Sequence, residues 1–178
     1  MSTFELACPT ILRHEGGYIN NKNDAGGPTK YGISLRWLKA QGLYGDVNGD
    51  LVVDIRDIQA LTVDQAEGFY RVKWWDKYGY GRILDQTIAT KIFDTAVNMG
   101  APAAARIAQK AVNALGGSTI ATDGLLGPNS IYRVNCAATG LLLQGLRLGQ
   151  AARYRELATD PRLEGFLPGW LNRAFDRI

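Results

Sequence analysis

The chain has 178 residues, 46% of them hydrophobic and 21% charged, with a formal net charge of +3. That suits one compact domain or two small ones sharing a core, and no stretch approaches the ~20 apolar residues of a membrane helix. Glu5, Pro9, Arg13 and Glu15 interrupt the first fifteen residues, so no apolar signal-peptide core is expected there. The excess positive charge lies in residues 99–178 and is nearly all arginine, without a dense basic run. This suits an anionic polymer partner better than nucleic acid. Cys8 and Cys136 match no metal or redox spacing, and both read as buried thiols.

In chain order the pattern is overwhelmingly helical. Ser2 and Glu5 form a capping box for a first helix, in which Pro9 predicts a kink or a late start. Phe4, Cys8, Ile11 and Glu15 step by four, three and four, so they share one helix face. A glutamate that continues an apolar stripe is unusual, because an unpaired buried carboxylate is costly. Burial favours the protonated form of a carboxyl, which is the form a general acid needs. Gly16 and Gly17 then stop the helix and leave room around the carboxyl. Nine residues beyond Glu15, Asp24 sits in a polar, glycine-rich loop. One shielded acid and one solvated acid form the pattern of glycoside hydrolysis, although a helix-end glutamate also serves simply as a surface or capping residue.

Strand signals are confined to a small hairpin within residues 18–33. Ser34 caps a short helix through Leu38, and Thr62 with Gln65 forms a capping box for a helix carrying Ala66, Phe69 and Tyr70. Trp74 and Trp75 point in two directions, so at least one belongs to the core. Residues 85–98 read as a core helix; Pro102 opens another that ends at Gly116-Gly117, Pro128 opens a third, and Leu141 to Leu157 forms the last long one. The fold class is therefore mainly α, with residues 1–98 and 99–178 as its two halves.

The text His14-Glu15-Gly16-Gly17-Tyr18, followed by Asp24-x-Gly26-Gly27-Pro28-Thr29-Lys30-Tyr31-Gly32-Ile33-Ser34, resembles the glycoside hydrolase family 108 lysozymes, the phage-type N-acetylmuramidases. Tyr70-Arg71-x-x-Trp74-Trp75 and Phe93-Asp94-x-Ala96-Val97-Asn98-x-Gly100 extend the match. Thr122-Asp123-Gly124-Leu125-Leu126-Gly127-Pro128 and Gly169-Trp170-Leu171-Asn172-Arg173 resemble the peptidoglycan domain that accompanies this family. The resemblance implies a lysozyme-like helical fold with a C-terminal helical subdomain. It further implies cleavage of the β-1,4 bond between N-acetylmuramic acid and N-acetylglucosamine in bacterial peptidoglycan, with Glu15 as the essential acid. By analogy with phage lysozymes outside the family, Asp24 stabilises charge or orients water and Thr29 positions water. Asp24 also reads as a loop residue making an Asx-turn, and Thr29 as a plain turn residue. Tyr18, Tyr31 and Asn98 are candidates for contacting sugar.

The expected setting is a phage or prophage endolysin. It would be a monomer without membrane insertion, made in the cytoplasm, released by a holin and active at the wall. The alternatives are a non-catalytic wall-binding module, for which Glu15 is unnecessary, and a lytic transglycosylase, whose product lacks one water.

One insertion stands apart. Asp46, Asn48, Asp50, Val52, Asp54 and Asp57 occupy positions 1, 3, 5, 7, 9 and 12 of a twelve-residue loop that resembles EF-hand and dockerin loops. Such a loop predicts a structural Ca²⁺, with the Val52 carbonyl as one ligand and no part in bond cleavage. It departs from the pattern at position 6, where Leu51 replaces glycine, and at position 12, where Asp57 replaces the longer glutamate.

Overall fold

A computed structural model describes residues 1–20 and 27–178. Nine α-helices, three short 3₁₀ turns, one π-helical turn and one two-stranded antiparallel sheet make up the regular structure of the described residues, so the fold is mainly α. The chain divides into two compact units, Ile11–Val72 and the pair of segments Met1–Thr10 with Lys73–Ile178.

The first helix, α1, runs from Phe4 to Glu15 straight through Pro9. Its stripe is as expected up to Ile11, with Phe4, Cys8 and Ile11 all buried. The capping box is not formed by Ser2: its hydroxyl donates to the Tyr80 carbonyl and its amide to the Ile83 carbonyl, which pulls Ser2 out of the helix.

In the unit Ile11–Val72, strands β1 (Thr29–Lys30) and β2 (Ile33–Ser34) pair Thr29 with Ser34 and Lys30 with Ile33. Only Tyr31 and Gly32 connect them, and both have positive φ (51° and 76°). This is the signature of a type I′ hairpin turn, whose twist matches that of the strands. Ile19 extends the ladder with two 2.8 Å hydrogen bonds to Thr29. Helix α2 (Leu35–Ala40) is capped by the Ser34 hydroxyl, which accepts from the Trp37 amide. Helix α3 (Ile55–Ala60) closes the acidic loop, and the Thr62–Gln65 capping box opens α4 (Val63–Tyr70). Trp37 of α2 and Tyr44 both meet Phe69 of α4 edge to face, at 5.2 and 5.6 Å between ring centres.

Past α4 the backbone passes through a six-residue π-helical turn, Arg71–Asp76. In the other unit, Trp75 is buried against Phe4 and Phe93. Helices α5 (Gln86–Met99), α6 (Ala101–Ala114), α7 (Pro128–Cys136), α8 (Thr139–Leu157) and α9 (Leu167–Phe175) follow. Helices α5, α6 and α8 pack on one another, α7 on α6, and α9 on α8. Cys136 differs from expectation: it is exposed. The inward face of α7 is Ser130, Ile131 and Val134, and Cys136, two residues beyond Val134, falls on the opposite side.

A polar seam runs through this bundle. Asp94 of α5, fully buried, takes hydrogen bonds at 2.8, 3.2 and 3.4 Å from the Arg173 guanidinium of α9. Lys91, one turn earlier and also buried, donates to the carbonyls of Arg173 and Ala174 at the end of α9. A lysine there complements the negative end of the helix dipole. Burial lowers the Lys91 pKa to about 8, against the raising effect of Asp94.

Candidate active site

Glu15 is the last residue of α1. It is half-buried, not sunk in the core as the stripe predicts, because the helix stops there and Gly16 turns the chain away with φ +71°. The carboxyl lies against the tip of the β1–β2 hairpin. A Cβ placed on Gly32 would stand 2.6 Å from Glu15 Oε2 and 2.8 Å from its Cγ, and closer still to the Tyr70 hydroxyl. Only glycine allows this approach, and its φ of +76° independently favours glycine. Beside it, Tyr31 holds a left-handed conformation that is rare for a bulky residue. The Tyr70 hydroxyl donates to the Tyr31 carbonyl at 2.8 Å and so fastens the strained turn to α4. Strain of this kind concentrates where a site over-determines its backbone. Side chains at Gly16 or Gly17 would meet nothing within 4 Å among the described residues.

The structure thus sets Glu15, at the end of α1, against the tip of the hairpin that carries Thr29, Tyr31 and Gly32. The Thr29 hydroxyl donates to the Gly27 carbonyl at 3.1 Å, which leaves its lone pairs free to accept. Tyr18 is 43% exposed and adjoins Ile19, the residue that bridges to Thr29. Asp24 lies outside the described residues. Asn98 belongs to the other compact unit, near the end of α5. Its Oδ1 accepts from the Tyr154 hydroxyl at 2.7 Å, and that hydroxyl in turn accepts from Gln150 at 3.1 Å. Gly32 and Tyr70 are the residues that a reading of spacing misses. Both lay inside quoted motifs, but nothing local says that they converge on Glu15.

The acidic loop is a web of backbone turns. Asp46 accepts from the amides of Gly49 and Leu51, Asn48 from Asp50, Asp50 from Val52, and Asp57 from Val47, Asn48 and Asp54. Leu51 takes the left-handed conformation anticipated at position 6, with φ +69°. Arg56 pairs with Asp50 at 2.9 Å and with Asp54 at 2.8 Å. Hydrogen bonds from the Arg56 side chain and amide hold Asp54 below the usual carboxylate range. Among the described residues, no three acidic, histidine or cysteine side chains converge as a ready cage for an ion.

Comparison with known sequences places the chain. The profile of the family described as Glycosyl hydrolase 108 matches residues 8–100, and the chain belongs to that family. It is a glycoside hydrolase of the lysozyme-like kind. A second profile, described as Predicted Peptidoglycan domain, matches residues 103–175, which makes cell-wall peptidoglycan its partner. Among solved structures, the chain is similar to that titled "Structure of Brucella abortus SagA", with a TM-score of 0.67 and 24% identity over 97% of this chain and 96% of that one. That likeness shows a shared fold. No sequence among curated proteins matches it.

Proposed function

We propose that the chain is a muramidase, cleaving the β-1,4 bond from N-acetylmuramic acid to N-acetylglucosamine with Glu15 as general acid. The observation that carries the reading is the Glu15 carboxyl at the end of α1, walled by Gly32 and the Tyr70 hydroxyl. Protonated Glu15 gives its proton to the glycosidic oxygen as the bond breaks. A water oriented by Thr29 and Asp24 then attacks the sugar carbon and gives its proton to the Asp24 carboxylate, whose charge also stabilises the oxocarbenium-like transition state. Tyr18 and Tyr31 offer ring faces to sugar, and Asn98 offers an amide held by Tyr154.

Digestion of purified peptidoglycan by wild type and by Glu15→Gln, with mass analysis of the products, tests this. Loss of a general acid costs roughly 10²–10⁴-fold in rate. Near-normal activity in Glu15→Gln removes Glu15 from the chemistry, and products lighter by one water convert the assignment to a lytic transglycosylase.

On the resemblance alone we also propose a phage or prophage endolysin, released by a holin. Lysis of expressing cells with and without a membrane-permeabilising partner checks that setting. Finally, we propose that the loop Asp46–Asp57 takes a Ca²⁺ in exchange for Arg56, a reading supported by its donor set and by the left-handed turn at Leu51.

A further inference from the structure

The unit containing α5 to α9 carries a groove of about 660 Å³ far along the chain from Glu15, formed by the end of α6, the loop after it, α7 and the start of α8. That volume falls within the ~300–1,000 Å³ of small-ligand sites. Three of its lining residues expose apolar surface to solvent: Tyr132 is 68% exposed, Leu141 58% and Leu115 40%. Thr119 and Asn129 add polar groups.

The groove wall is built, not merely left over. Arg133 donates to two carbonyls of the loop, Ser118 at 2.7 Å and Gly116 at 2.6 Å, and to the Val112 carbonyl of α6 at 2.9 Å. Asn113 clamps Ile120 from both sides, donating to its carbonyl at 2.8 Å and accepting from its amide at 3.0 Å. Gly116 and Gly117 supply consecutive left-handed residues, and a Cβ on Gly117 would sit 2.8 Å from the Arg133 guanidinium. Two side chains therefore fix a surface loop with four hydrogen bonds, and Arg133 adds a fifth to α6, the kind of preorganisation that lowers the entropic cost of binding.

We propose that this groove is a second peptidoglycan subsite, distinct from the cleavage site, and that it takes the sugar face of the glycan strand. The inference rests on peptidoglycan being the partner, which the domain match supplies. Its chemistry selects the glycan over the rest of the wall. The one charged side chain lining it, Arg133, is committed to carbonyls. With three of its N–H donors held by backbone carbonyls, Arg133 is poorly placed to grip the carboxylates of stem peptides or an anionic wall polymer in a bidentate fork. The groove matches sugars, whose flat C–H faces suit the Tyr132 ring, whose N-acetyl methyls suit Leu115 and Leu141, and whose hydroxyls suit Thr119 and Asn129.

The test is binding of the full chain, silenced as Glu15→Gln, to purified sacculi. Tyr132→Ala in that background should weaken retention roughly tenfold, while Tyr132→Phe retains it. A soluble N-acetylglucosamine oligomer should compete, and binding should survive about 0.5 M salt, where charge interactions are screened within a few ångströms. The basic-rimmed groove along α6 and α8 is the rival: retention lost with Arg106→Ala/Lys110→Ala and at high salt overturns the proposal. So does unchanged retention in Tyr132→Ala with an unchanged melting temperature. Wild-type digestion is read separately. Lost retention in Tyr132→Ala beside an inactive wild type upholds the groove and sinks the muramidase, and the reverse pattern does the opposite.

Discussion

At the scale of single residues, the pairing of Glu15 with Gly32 sets the tightest constraint. Gly32→Ala forces a methyl into the Glu15 carboxyl and the Tyr70 hydroxyl. We expect a loss of about 10²-fold or more in kcat with little change in sacculus binding, since misplacing a catalytic group by ~1 Å costs that much; steady-state kinetics on peptidoglycan read it. The opposite case is Tyr80, whose buried hydroxyl has no hydrogen-bond partner among the described residues and whose pKa burial drives above its usual range. Tyr80→Phe removes an unsatisfied polar atom and should leave stability unchanged or raise it by about 1 kcal/mol, measured by denaturant unfolding. Sequence alone showed Glu15 and the hairpin residues clearly, because their spacing is local. It could not show what Gly32 does: φ near +76° and a 2.6 Å approach exist only once α1, the turn and α4 have met.

At the scale of elements, the Asp46–Asp57 loop has its own arithmetic. Its carboxylates are already neutralised in part by Arg56 and by backbone amides, so a cation gains only the difference. Arg56→Ala should therefore tighten Ca²⁺ binding, and Leu51→Gly should do likewise by relieving a left-handed leucine that costs roughly 1–2 kcal/mol. Isothermal titration of metal-stripped protein decides both; no heat at millimolar calcium in either variant leaves an acidic loop closed by arginine. Helix positions were legible wherever caps and apolar spacing agreed, as at Ser34, Thr62–Gln65 and Pro128. Two features were not: Arg56 looked like one more surface charge, and Cys136 faced out because the stripe of α7 ends before it.

At the scale of the molecule, the seam of Lys91, Asp94 and Arg173 ties α5 to α9. Lys91 releases its proton at about 8 when folded and near 10.5 when unfolded. Between those values the unfolded chain binds the extra proton, so this group's contribution to stability rises with pH across that window and is lost as pH falls through about 8. The gap is worth up to about 3 kcal/mol. Unfolding free energies of wild type and Lys91→Met, compared from pH 7.5 to 10.5, should diverge in favour of wild type, and parallel curves would show that Lys91 keeps an ordinary pKa. No local pattern announces this seam, since its partners lie 79 residues apart.

That separation has a consequence in time. A ribosome adds roughly 5–20 residues per second, so Asp94 is made on the order of ten seconds before the arginine that neutralises it. The first ten residues wait as well, because their compact unit is completed only by Lys73–Ile178. The stretch Ile11–Val72, which carries Glu15, has no such wait: every segment it needs is synthesised early and in one run. The acid and its hairpin therefore belong to a unit whose residues are all made before the bundle around α5 is complete, and a message cut short before Arg173 leaves Asp94 without that guanidinium.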